Sequence, residues 1–216
     1  MPATILNLLF LLLVLGVGNI AYKGRTFDKT SWGRVIMLSV WFVVCSLILL
    51  TGNFHRLFVT LNLATLGVFT TITLTWILFP KLIRIYGKYP SLYLKDKEGN
   101  TRFMIRFEYP SMTIKYFEIL FQQASFLFLI FVVLAGLSQI TVIYLFTLIV
   151  AIIHLGNLLF FDYKWALFYF ALSIPMALLF SFMISQGLVL ITASIHLAFY
   201  MIFNARYWFM LKYQRE

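Results

Sequence analysis

Charge is missing from this sequence in blocks. Seven stretches, at about 3–22, 35–52, 57–79, 116–137, 140–160, 165–185 and 188–209, are almost wholly uncharged. Each approaches the roughly 20 residues that a helix needs to cross a hydrocarbon core about 30 Å thick. Within such a core only a helix or a closed barrel satisfies its own backbone, and long runs without strict alternation read as helices. Only 11% of the residues are charged, against about 25% in a typical soluble domain. A soluble fold of this size could not hide 24 Phe among so many Leu and Ile in one core. The sequence predicts an all-α, polytopic bundle of about seven spans, with 1–216 as a single transmembrane domain.

The breaks between runs carry turn-forming residues. Gly136, Ser138 and Gln139 divide the fourth from the fifth, and Gln186 and Gly187 divide the sixth from the seventh. Pro80 suits the end of the third helix, whereas Pro175 lies inside the sixth and predicts a kink. The first run has no basic residue before it and no clear Ala-x-Ala pattern after it, so it reads as a retained helix and not as a cleaved signal.

Basic residues set the orientation. Lys23, Arg25, Lys29 and Arg34 fall in the first loop, and Lys81, Arg84, Lys88, Lys95, Lys97, Arg102, Arg106 and Lys115 in the third. Lys164 falls in the fifth loop, and Arg206, Lys212 and Arg215 at the C-terminal end. Arg56 alone lies on the other side. The positive-inside rule then places the N-terminus outside and the C-terminus in the cytoplasm, in a cell (inner) membrane. The same placement explains the net charge of +10 without nucleic acid as a partner. Segment 81–115 becomes a cytoplasmic loop. Its turn residues Asp96–Asn100, set between partly alternating runs, fit a short β-hairpin, and fit equally a basic amphipathic loop on anionic headgroups. Cys45 is the only cysteine, so an intrachain disulfide and a Cys-based metal cluster are both excluded.

Ionisable groups inside a bilayer are costly and usually serve a purpose. Glu118 is the only acidic residue in the apolar runs, joined by His154 in the fifth and His196 in the seventh. The predicted topology puts Glu118 near the inner end of the fourth helix, with His154 about 10 Å and His196 about 15 Å from the inner surface. Glu118 and Gln122 share a helix face at i,i+4, as do His154 and Asn157 at i,i+3 and His196, Tyr200 and Asn204 at steps of four. The expectation is one cluster in the cytoplasmic half. The competing reading makes each a structural polar group: Glu118 paired with a loop base, the amides as interhelical glue.

The stretch from about 117 to 204 resembles the CPBP family, the CAAX prenyl endopeptidases and their bacteriocin-processing relatives. Phe117-Glu118-Ile119-Leu120-Phe121-Gln122-Gln123 is similar to the family's Glu-Glu-x-x-Phe-Arg-Gly. Ile152-Ile153-His154-Leu155-Gly156-Asn157 resembles its second motif, and Leu179–Asn204, with His196, its closing helices. The resemblance implies an intramembrane endopeptidase plan in which Glu118, His154 and His196 are the candidate catalytic residues. Gln122, Asn157, Tyr200 and Asn204 are candidate substrate-binding residues, with Asn157 or Asn204 donating to an oxyanion. A divalent metal on His154, His196 and Glu118 would have a minimal ligand set.

The departures fall on the chemistry. Phe117 stands where the family has its first glutamate, Gln122 where it has arginine, Val150 where it has phenylalanine, and Tyr200 where it has Asn or Asp. Phe cannot accept a proton or orient water. The leading expectation is a catalytically weakened homologue that binds a membrane or lipidated peptide. An active endopeptidase using Glu118, His154 and His196 is one alternative, and a non-enzymatic subunit with a membrane-protein partner is another. A solute carrier is less well supported, since no paired half-helices occur.

Overall fold

In the computed structural model the apolar runs are helices, and their ends fall where the sequence supplies a cap or a turn. The structure describes residues 2–20, 32–52, 54–57, 61–85, 92–95, 101–105, 109–159 and 163–213. In chain order the helices are α1 (Pro2–Ile20), α2 (Trp32–Leu50), α3 (Leu63–Ile85), α4 (Tyr109–Phe128), α5 (Gln139–Leu155), α6 (Tyr163–Ser185) and α7 (Val189–Tyr213). Between α3 and α4, strands β1 (Leu92–Lys95) and β2 (Thr101–Ile105) pair antiparallel.

Four helical segments are long and apolar enough to cross a membrane: Trp32–Leu50, Leu63–Ile83, Tyr109–Val133 and Ala166–Ser185. The apolar stretches Thr4–Val17, Gln139–Leu155 and Val189–Phe203 are shorter, at no more than 17 residues each. The helical bundle thus carries four such segments, fewer than the seven spans expected from the runs.

Two helix starts are shifted from the sequence reading, each for a local reason. The third apolar run covers 57–79, but α3 begins at Leu63. Asn62 caps it: its Oδ1 accepts from the Thr65 N–H at 2.8 Å, and the Thr65 hydroxyl accepts from the Asn62 N–H at 3.1 Å. Pro80, expected to end this helix, lies inside it. A membrane helix tolerates proline where neighbouring helices hold the backbone. Here Pro80 is fully buried, and Trp76, four residues earlier, donates from Nε1 to the Met112 carbonyl of α4 at 3.0 Å. α4 likewise starts at Tyr109, not near 116, with Pro110 in its first turn, where a missing N–H costs nothing.

The remaining breaks follow the sequence. α4 runs into a π-helical turn, Leu129–Val133, and Gly136 reverses the chain with φ 82°. Ser138 then caps α5, its hydroxyl accepting from the Thr141 N–H at 3.3 Å. Gly187, with φ 79°, makes the turn between α6 and α7. Pro175 lies inside α6, as expected.

α4 is the most enclosed of the long helices and α3 the least. α2 packs along α4, α5 along α6 and α3 along α7, while α4 also meets α7. One cluster joins Leu11, Phe42, Cys45 and Leu49 to Phe121, Leu127, Phe146 and Ile184. A second joins Trp76 and Ile83 to Met112, Ile119, Leu197 and Met201. The outer faces are apolar too: Leu6, Ile36, Val40, Leu63, Ile140, Leu148 and Ile202 are all exposed. A soluble monomer rarely shows contiguous apolar surface on that scale, whereas lipid accommodates it at no cost.

Candidate functional site

The polar residues inside the bundle concentrate on the line where α4 meets α7. Lys115, Glu118 and Gln122 recur at three and four residues along α4, and Gln123 stands next in sequence. Thr192, His196 and Tyr200 recur every four residues along α7. Each row therefore forms a stripe on its helix.

Glu118 is held on both oxygens by its own helix. Lys115 Nζ lies 2.7 Å from Oε2 as an i,i+3 ion pair, and both side chains are nearly buried. Gln122 Nε2 donates to Oε1 at 3.1 Å. Lys115, a loop base by the sequence reading, belongs instead to α4 and is turned into the bundle. Glu118 itself is nine residues into α4, roughly 13 Å along the axis from the helix start, and so deeper than its place at the head of the run suggests.

Gln123 makes the crossing to α7. Its Oε1 is 3.0 Å from the Thr192 hydroxyl, and its Nε2 is 3.0 Å from His196 Nδ1. Thr192 has one hydroxyl proton and a second acceptor, the Val189 carbonyl at 2.7 Å. Turning the Gln123 amide over lets its NH2 serve the Thr192 oxygen and its Oε1 accept from His196 Nδ1–H. Amide orientation and histidine tautomer are therefore a single coupled choice. The His196 ring sits among aromatics: Phe126 of α4 lies nearly parallel at 6.4 Å, Phe180 of α6 at 5.4 Å and Tyr200 at 5.5 Å. Lys115 Nζ stands 4.8 Å from the centre of the Tyr200 ring, a cation–π distance. Tyr200 thereby links the ion pair to the histidine.

His154 does not join this seam through any described hydrogen bond. Its Nδ1 is 2.8 Å from the Val150 carbonyl of its own helix, so that nitrogen donates to the backbone. α5 ends at Leu155, and Asn157 belongs to a 3₁₀ turn, Gly156–Leu159, so the shared α-helical face expected for His154 and Asn157 stops before Asn157. The side chains of Asn157 and Asn204 lie outside the described residues.

The donor set does not suit a metal. Among the described residues no three His, Cys, Asp or Glu side chains group closely enough to hold an ion. Glu118 is engaged by Lys115 and Gln122, and each histidine commits Nδ1 elsewhere. The ligand set expected on His154, His196 and Glu118 is not assembled. Phe117, at the expected position of the family's first glutamate, is partly buried and packs against the main core.

The sequence reading allowed Glu118 a loop base without singling out Lys115, treated Gln122 and Gln123 alike as interhelical glue, and missed Thr192 as a partner. The i,i+3 spacing of Lys115 and Glu118 was a signal for the first. Nothing in the sequence could choose Gln123 over Gln122 as the residue that faces α7. No protein-family model, characterised protein or solved structure matches the chain.

Proposed function

We propose that the chain is a seven-span protein of the cell's inner membrane, N-terminus outside and C-terminus in the cytoplasm, built on a CPBP-like plan but without peptidase turnover. One observation carries this reading: both oxygens of Glu118, the one acidic residue within the apolar runs, are taken by Lys115 and Gln122. A general base must be free to reach the water it activates. The Lys115 ammonium at 2.7 Å competes with water for the Glu118 carboxylate, and Phe117 offers no replacement. The α4–α7 seam then serves to hold helices in register, and the function that remains is recognition of a membrane or lipidated peptide.

A second reading, a non-enzymatic subunit of a larger membrane assembly, draws on α3. That helix is the least enclosed of the long ones, and Leu63, Leu66, Val68, Leu74, Ile77 and Leu78 are all exposed along it.

Purified protein in liposomes, given prenylated and membrane-spanning peptides, separates these readings. Binding without cleavage is the expected result. Cleavage that disappears in both Glu118→Ala and His154→Ala would overturn the non-peptidase reading, and absence of both binding and cleavage would move weight to the subunit.

A further inference from the structure

Three polar contacts follow one another where α4 crosses α7. The Gln123 carboxamide stands 3.0 Å from His196 Nδ1 on one side and 3.0 Å from the Thr192 hydroxyl on the other, and that hydroxyl stands 2.7 Å from the Val189 carbonyl. Thr192 is fully buried and Gln123 nearly so, so the protons in these contacts come from the protein's own groups.

Counting those protons fixes their direction. The Val189 carbonyl only accepts, and it ends the row. The Thr192 hydroxyl therefore gives it its one proton, the usual back-bond of a helical threonine, and shows Gln123 a lone pair. The group facing that lone pair is the amide NH2. The amide oxygen then faces His196, and Nδ1 must carry a hydrogen to bond it. In this arrangement every contact holds one proton. With the amide the other way round, Thr192 has one proton for two acceptors, and one contact sets oxygen against oxygen. The two amide orientations have the same shape, so hydrogen-bond satisfaction decides between them.

A hydrogen on Nδ1 leaves Nε2 of the neutral ring as a lone pair. Nothing in the row supports a second proton on the ring: Gln123 offers an amide oxygen without charge, and Glu118 is engaged by Lys115 and Gln122. The His196 ring is only half-buried, among Phe126 of α4, Phe180 of α6 and Tyr200. Among the described residues no hydrogen bond reaches Nε2. An acceptor in apolar surroundings is costly unless a donor meets it.

We infer that His196 is locked as the Nδ1–H tautomer, with Gln123 and Thr192 as positioning residues, and that its Nε2 is a fixed acceptor for an uncharged O–H or N–H donor at the junction of α4, α6 and α7. Two sources have this chemistry: water, and the backbone N–H of a bound peptide. The second rests on the recognition reading proposed above, and the first does not.

The test uses full-length protein with nitrogen-15 in its histidine rings, in lipid nanodiscs at neutral pH, read by solid-state NMR; His196→Phe identifies the His196 signals. The expected spectrum has the proton on Nδ1 alone, an unprotonated Nε2 shifted to the shielded side as in an imidazole that accepts a hydrogen bond, and a cross-peak from Nε2 to water. Thr192→Val and Gln123→Leu should each lose the single-tautomer spectrum, while Thr192→Ser, which keeps the hydroxyl, should retain it. A proton on Nε2, a mixture of tautomers in the unmodified protein, an Nε2 with the shift of a free imidazole nitrogen, or a Thr192→Val spectrum unchanged from the unmodified protein would overturn the proposal. Adding a prenylated peptide should move the cross-peak from water to the peptide's amide protons. A water cross-peak that the peptide leaves in place would keep the acceptor and remove the peptide from this site, so the two readings fail separately.

Discussion

Replacing Gln123 with leucine removes the one side chain that, among the described residues, hydrogen-bonds α4 to α7 at two places. Gln123→Leu keeps the approximate size, so the loss is of bonds more than of packing. Two contacts disappear, to the Thr192 hydroxyl and to His196 Nδ1, each at 3.0 Å. Interhelical hydrogen bonds in a bilayer average about 0.6 kcal/mol and reach about 1.7, which gives a cost of roughly 1–3 kcal/mol for the pair. Thr192 keeps the Val189 carbonyl, so the loss falls mainly on His196, whose ring stays enclosed by Phe126, Phe180 and Tyr200. Reversible unfolding in mixed micelles by increasing SDS measures the change. Gln122→Leu is the control, because the Gln122 amide donates to Glu118 on its own helix and, among the described residues, makes no hydrogen bond to α7, so its loss should not couple to His196. A double-mutant cycle of Gln123→Leu with His196→Phe should show a coupling of about 0.6–1.7 kcal/mol. Zero coupling between Gln123→Leu and His196→Phe, or an equal coupling of Gln122→Leu with His196→Phe, would refute the idea that this amide joins the helices.

Lys115→Met leaves a nearly buried carboxylate without its 2.7 Å partner and should destabilise by about 3 kcal/mol or more, whereas Lys115→Met with Glu118→Met should recover most of that loss; SDS titration of the three proteins measures both. Gly136 has φ 82° and open space where a Cβ would stand, so Gly136→Ala should cost about 1 kcal/mol through backbone conformation alone, and Gly136→Asn less, in the same assay. With Cys45 replaced by alanine, Thr4→Cys should react with an impermeant thiol reagent added to intact cells and Ser91→Cys should not; labelling of Ser91→Cys would reverse the orientation argued from basic residues.

Periodicity and punctuation made much of the helical framework readable. Ser138, Gly136 and Gly187 act locally, so the turns they make are visible in the sequence. Pro80 is misleading because its effect depends on what packs around it, and Trp76 reaching the Met112 carbonyl is a tertiary fact. The site is only partly readable for the same reason. The spacing of Glu118 with Gln122, and of His196 with Tyr200, follows from one helix at a time. Which stripe faces which depends on helix rotation, and that brings Gln123 to His196 while leaving His154 on its own backbone carbonyl. Lys115 reads as a loop residue because a charge usually marks the end of a membrane helix. Here α4 starts six residues earlier, and the charge is compensated inside it.

Glu118, held by Lys115 and Gln122, should behave as a closed structural carboxylate and not as an available catalytic one. A hydrophobic carbodiimide labels membrane carboxyl groups that it reaches in neutral form, and intact-protein and peptide mass spectrometry locates the adduct. With Lys115 in place no adduct should form at Glu118 in lipid nanodiscs, and one should appear in Lys115→Met. Stoichiometric labelling of Glu118 in the unmodified protein, absent in Glu118→Gln, would contradict it.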